Sequence, residues 1–274
     1  MSTKTILITG ASSGIGLALA KQCHALGHQV LVTARKTADL ERLSALGFTT
    51  FALDVTNKTA ISDMFSEISR NYSGLDLLIN NAGYGAMGPV LDASPDVWQQ
   101  QFATNVFAIA TVSRAALPLL QQRQGIIANV GSVSAVVTTP FAGVYCASKA
   151  AVHAITDAMR MELAPFRVKV VLIQPGAIAT GFADTASSGL QNWIKSDSPW
   201  QSFASGIAAR ARASADNPTS AEKFAEQVLS RLLSAQPPAL IAAGNGSKSL
   251  VWLKRLLPQW LLDQILQRRF GLHG

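Results

Sequence analysis

The chain has 274 residues, 49% of them hydrophobic and only 14% charged, so it can bury the core of one large globular domain and carries no long disordered tail. Its two cysteines, Cys23 and Cys146, have no metal-ligand spacing with a histidine, which argues against a zinc site and for a reducing compartment. The formal charge of +7 is uneven: Lys248, Lys254, Arg255, Arg268 and Arg269 against Asp263 leave +4 in the final tenth of the chain, and no helix-turn-helix, zinc or RNA-recognition pattern makes nucleic acid an expected partner.

No charged n-region, apolar h-region and cleavage site precede the first strand-like run, and no long apolar window lacks charges, so the expectation is a cytoplasmic protein without a spanning helix. From Lys4 onward, short β-branched runs alternate with longer amphipathic ones. "KTILIT" leads into a helical "GIGLALAKQCHALG", then come the strand-like "QVLVTA", the helical "TADLERLSALG" and the strand-like "FTTFALDV". "TAISDMFSEISRNY" and "LDLLIN" repeat the alternation, and a long helix starts at "SPDVW", where Ser94 can cap, Pro95 fits the first helical position and Pro118 bends or ends the run near Gln122. "GIIANVGS", a helix reaching about Leu163 and "KVVLIQPG" complete the series. The strands read as continuous apolar runs, which predicts an α/β fold: a parallel sheet covered by helices on both faces.

After Gly176 the pattern changes. Residues 177–219 show no strand signal and weak helical periodicity, with Phe182, Trp193, Trp200 and Phe203 spaced along them; they read as a substrate lid or as a poorly ordered excursion. A helix "AEKFAEQVLSRLLS", a strand "ALIAAG" and the basic C-terminal segment follow.

Between the first strand and helix lies "TGASSGIG", with Gly10, Gly14 and Gly16. A glycine turn there lets backbone N–H groups and the helix N-terminus meet a pyrophosphate. At the end of the second strand, where an acid would hold an unphosphorylated ribose, the sequence has Ala34 followed by Arg35 and Lys36. This favours NADP(H), unless Arg35 is a solvated loop residue. "VYCASKAAVHAI" then places Tyr145 and Lys149 four residues apart on one helical face.

The glycine turn, "NNAG" at 80–83, Tyr145 and Lys149 occur in an order that resembles the short-chain dehydrogenase/reductase family over residues 4–180. The resemblance implies a Rossmann-like, doubly wound catalytic domain over 1–247, with the lid at about 177–219 and a C-terminal extension over 248–274. It implies a cofactor shell of Gly10, Ser12, Ser13, Gly14, Ile15, Gly16, Arg35, Lys36, Asp54, Val55, Asn81, Ala82, Gly83, Tyr145, Lys149, Pro175, Gly176, Ile178 and Thr180, and the catalytic set Asn105, Ser132, Tyr145 and Lys149. "GSVSAV" departs from the family pattern, with Gly131 replacing a serine and Val136 a glycine; Ser132 keeps the spacing to Tyr145, and Ser134 is the alternative.

In such a site Tyr145 gives a proton to the carbonyl oxygen, Lys149 and the oxidised nicotinamide favour its phenolate, Ser132 holds the substrate oxygen, and Asn105 holds a water linking Lys149 to solvent. The apolar lid implies a hydrophobic aldehyde or ketone. Oxidative use on a hydroxysteroid- or retinol-like alcohol is the alternative, and a non-catalytic NADP(H)-binding regulator is another class. The tail, with Leu250, Leu253, Leu257, Leu261 and Ile265 between basic residues and Trp252 and Trp260, either packs on protein or lies on an anionic membrane surface. The full-length pattern resembles NADP-dependent aldehyde reductases and the steroid, retinol and acyl-dihydroxyacetone-phosphate reductases, and implies a homodimer or homotetramer.

Overall fold

A computed structural model describes residues 2–188 and 198–272, so Trp193 lies outside the described residues. The apolar runs form β1 (Thr5–Ile8), β2 (Gln29–Ala34), β3 (Thr49–Ala52), β4 (Leu77–Asn80), β5 (Ile126–Val130) and β6 (Lys169–Pro175). A two-residue pair, β7 (Ile178–Ala179) and β8 (Thr219–Ser220), stands apart, and β9 (Leu240–Ala243) closes the main sheet. Its order is β3-β2-β1-β4-β5-β6-β9, and every pairing is parallel.

Because strand side chains alternate, Ile6 and Ile8 point into one layer and Leu7 into the other. The first layer is built on α1 (Gly14–Ala25) and α9 (Ala221–Leu232), where Phe224, Val228 and Leu232 are fully buried. The second is built on α3 (Lys58–Asn71) and α5 (Ala108–Arg123), with α6 (Gly143–Glu162) beside them; α2 (Thr37–Ala45) flanks β2 and β3. The chain winds outward from β1 to β3 and then from β4 to β9, so the strand order reverses at β1 and β4. Ligands of such sheets bind in the crevice beyond the C-terminal strand ends at that switch point.

The long helix differs from its expected form. α4 (Pro95–Phe102) does begin with Pro95 in its first turn after Ser94, but the Ser94 side chain makes no capping bond. The interruption falls at a π turn, Ala103–Phe107, rather than at Pro118, which sits inside α5. The continuous run Pro95–Arg123 is long and apolar enough to cross a membrane, yet half of its most apolar window is buried inside the domain, as a core helix is.

Residues 177–219, expected as a lid or a poorly ordered excursion, are more regular than their sequence suggests: α7 (Phe182–Ser188), a 3-10 turn (Pro199–Phe203) and α8 (Ala204–Arg212) occupy most of the described part. The tail forms α10 (Ser249–Leu256) and α11 (Gln259–Arg269), divided at Pro258. The buried tail residues are not the expected stripe but Leu262 and Phe270, the latter joined by Leu266 and Leu272 against Phe141 and Ile207. Of the expected stripe, Leu253 and Ile265 are exposed, and Pro258 separates the two helices that carry them.

Candidate active site

The glycine turn after β1 is shaped for close approach. Gly10 has φ +64°, and a Cβ there would lie 2.8 Å from Ala82 Cα, so the turn rests directly on the "NNAG" segment after β4. Asn81 fixes that contact: its Nδ2 donates to the Thr9 and Gly10 carbonyls, each at 2.9 Å, while the Thr9 hydroxyl accepts the N–H groups of Asn81 and Ala82. Ser13 stands at the N-cap of α1, but its side chain makes no capping bond and the first turn carries no acid. The N-terminal N–H groups of α1 are therefore left for an external anion, as a pyrophosphate-binding turn requires. Ser12, Ser13, Ile15 and Gly16 belong to this turn, and Thr180 lies over Gly14 at 3.1 Å from where its Cβ would be.

At the ribose end, Arg35 and Lys36 are exposed beyond β2. Asp54 accepts from the Thr56 N–H at 2.9 Å and the Thr56 hydroxyl at 2.7 Å; these bonds, with the nearby Arg35 charge, hold its carboxyl below the ordinary value. Val55 beside it is buried. Sequence reasoning missed Arg42, whose guanidinium donates to the Ser12 carbonyl and to Asp39, adding a second cation next to the turn. Its only signal was position, one turn into the helix that follows Arg35. The Pro175–Gly176 loop and Ile178 close the other end: Gly176 donates to the Ala243 carbonyl at 2.9 Å, and Ile178 is buried.

Ser132, at the end of β5, and Tyr145 and Lys149, on α6, converge as expected. All are buried, and Ser132 acts on the Tyr145 phenol. Ser134 contributes only its backbone N–H, which donates to Ser132 Oγ at 3.0 Å, so the geometry selects Ser132. Burial pushes the Tyr145 phenol up to about 12, against the expected lowering. Ser132 and the positive Arg210 pull it back down, but desolvation prevails. Burial also brings Lys149 down to about 8, and its Nζ donates to the Val130 carbonyl at 2.7 Å.

Asn105 lies in the π turn, which turns its side chain inward. Its Oδ1 accepts the Tyr84 N–H at 3.1 Å, while Nδ2 donates to the Tyr84 carbonyl at 3.0 Å and to Ser148 Oγ at 3.1 Å. Ser148 in turn donates to the Tyr145 carbonyl at 2.8 Å. Both N–H groups of the amide are used in positioning Tyr84 and the Tyr145 helix, so a water link to Lys149 would have to use the second lone pair of Oδ1 or the main chain. Gln101, also unforeseen, supports the same loop by accepting the Ala86 N–H and donating to the Tyr84 carbonyl.

The lid aromatics divide. Phe182 lies over Tyr145, ring centroids 5.4 Å apart, whereas Trp200 and Phe203 pack with Phe141 and the tail's Phe270. An open groove of about 510 Å³ between α3 and α5 includes none of these groups.

A dinucleotide cradle at the switch point, facing a buried Ser–Tyr–Lys set, defines a nicotinamide-dependent oxidoreductase site. The family model described as short chain dehydrogenase matches residues 4–191, and the chain belongs to the short-chain dehydrogenase/reductase family. It is 36% identical to the uncharacterized oxidoreductase YbbO of Escherichia coli over 266 residues, 96% of this chain and 94% of that one. It is 29% identical to an NADPH-dependent 1-acyldihydroxyacetone phosphate reductase of Saccharomyces cerevisiae over 278 residues, covering 98% and 92%. A short-chain dehydrogenase from Streptomyces avermitilis superposes with a TM-score of 0.81 at 27% identity, covering 93% of this chain and 92% of that one.

Proposed function

We propose that this oxidoreductase uses NADP(H) and reduces the carbonyl of a hydrophobic aldehyde or ketone. The observation that carries the reading is the placement of Ser132 beside the Tyr145 phenol, whose pKa it acts to lower, in a buried site capped by Phe182. A carbonyl oxygen placed between the two hydroxyls would receive a hydrogen bond from Ser132 and a proton from Tyr145, and Lys149 one turn below would favour the resulting phenolate. When bound, the reduced nicotinamide supplies the hydride. Gly10, the α1 N-terminus, Asn81 and Thr180 would hold its phosphates and ribose, and Arg35, with Arg42 alongside, supports a preference for the 2′-phosphate. The NADPH requirement of the yeast relative points the same way. Mixing the enzyme with NADPH deuterated at the transferred position and a long-chain aldehyde tests the chemistry: the alcohol should gain one deuterium on its carbinol carbon, and an unlabelled alcohol refutes direct transfer.

The tail supports a further reading, that the protein touches an anionic membrane from the cytoplasmic side. Trp252, Leu256 and Trp260 remain exposed after Leu262 and Phe270 have packed, with Lys254 and Arg255 among them. Exposed Phe107, Met161 and Phe166 support pairing of two copies into a homodimer or homotetramer, which light scattering would measure.

A further inference from the structure

Arg210 is the feature that carbonyl reduction leaves unused. It sits on α8 and is only 7% exposed, an uncommon place for a guanidinium without a carboxylate. Its Nε donates to Thr139 Oγ1, on the loop leading into α6, and its charge acts on the thiol of Cys146, the residue next to Tyr145. Among the described residues the ion pairs are Arg42–Asp39, Arg160–Asp157 and Arg269–Asp216, and none includes Arg210.

Among the described residues, the charged groups that act on Arg210 do not neutralise it. Burial raises Tyr145 and Cys146 above their ordinary values, so both are protonated near neutrality, and Arg269 repels it. A cation held by one hydroxyl, within electrostatic reach of the Tyr145 phenol, is a desolvated charge without a counterion among the described residues. The surroundings are otherwise apolar: Met87, Ala142, Tyr145, Cys146, Ala186 and Ala211 form one cluster with Phe182 packed on it.

We infer that Arg210 anchors an anionic group, a carboxylate or a phosphate monoester, on the hydrophobic carbonyl substrate. The planar guanidinium suits either anion, and a low-polarity setting strengthens the pairing. What the anion is attached to rests on the carbonyl-reductase reading; the presence of an anion site does not. A purely structural tie between α8 and the Thr139 loop would need no charge, because a neutral amide could make the same bond to Thr139.

The test is equilibrium calorimetry on the full chain loaded with NADP⁺, titrated with octanoate, octyl phosphate and 1-octanol, together with Arg210→Gln and Arg210→Lys. The wild type should bind at least one anion about 10-fold or more tightly than octanol, the ratio expected of a charge-assisted contact in a dry site. The stronger of the two anions identifies the headgroup. Arg210→Gln should erase that preference and leave octanol binding within about 3-fold, while Arg210→Lys keeps part of it. Equal wild-type affinity for octanol and both anions overturns the inference whether or not the variants fold, and so does an Arg210→Gln protein that still prefers the anion or loses octanol equally. Anion binding that depends on Arg210 in a protein that reduces no carbonyl would instead refute the carbonyl-reductase reading and leave the anion site standing.

Discussion

Gly131 and His153 are fitted to one space: a Cβ on Gly131 would fall 2.5 Å from His153 Nε2, and that nitrogen accepts the Ser132 N–H at 3.4 Å. The departure "GSVSAV" therefore has a structural reason. The glycine before the serine admits a ring from α6 that holds the serine's backbone. Burial and the Lys149 charge push His153 down to about 4, so it stays a neutral acceptor at working pH.

Gly131→Ala should drive the imidazole away and displace Ser132. The expected result is a loss of kcat of about 10–100-fold, since misplacing a positioning contact by about 1 Å has that effect, with NADPH affinity nearly unchanged. Adding His153→Ala should relieve the clash, and the double variant should unfold later than Gly131→Ala alone by about 0.5–3 kcal/mol. Strictly additive effects in the thermal-melt cycle would separate the two residues.

Tyr145→Phe should lower turnover by about 10²–10⁴-fold while preserving NADPH binding, because it removes the proton donor and keeps the ring under Phe182. Single-turnover kinetics with a fluorescence titration of NADPH would show both. A near-normal rate would assign the proton elsewhere.

Much of this was legible in the sequence because it depends on local pattern. The apolar runs at Ile6, Val30, Leu77, Ile127 and Val171 announced a sheet buried on both faces, and the four-residue spacing of Tyr145 and Lys149 put them on one side of α6. What was hidden depends on distant partners. The π turn that carries Asn105 has no glycine or proline to mark it, whereas the visible breaker Pro118 is accommodated within α5. His153 and Arg210 look like ordinary helix residues until β5 and the Thr139 loop are folded against them. The tail stripe misled because a single helical phase was read through Pro258.

Charge reversal at Arg35, Arg35→Glu, should raise the Michaelis constant for NADPH by about 10-fold or more and leave that for NADH within a few-fold. Steady-state kinetics with each cofactor would decide it. Equal increases would mean that Arg35 does not face the 2′-phosphate and would shift the assignment to Arg42.

Lys149 carries a stability signature. Its folded value, about 8, lies below the ordinary lysine value of 10.5, so the folded state holds fewer protons than the unfolded chain between those pH values, and stability rises with pH across that window. The charge penalty is fully present below pH 8. Lys149→Met should therefore stabilise the cofactor-free protein near pH 7 by up to about 3 kcal/mol, and the gain should shrink toward pH 10. Denaturant melts across that range would check it; a gain independent of pH would locate the effect in packing rather than charge.

The tail prediction avoids truncation, because Phe270 and Leu262 are core residues. A Trp252→Ser, Leu256→Ser, Trp260→Ser variant should fold normally and lose co-sedimentation with phosphatidylglycerol vesicles. Equal sedimentation of variant and wild type would remove the membrane contact.

The initial rate of reduced-cofactor oxidation across a series of straight-chain aldehydes and ketones of increasing length, with NADPH and NADH in parallel, decides whether this is an NADPH-dependent reductase of hydrophobic carbonyls. The kcat/KM should climb with apolar length and be higher with NADPH throughout. Tight NADPH binding with no turnover on any carbonyl, or a rate indifferent to length and to cofactor, would contradict that assignment.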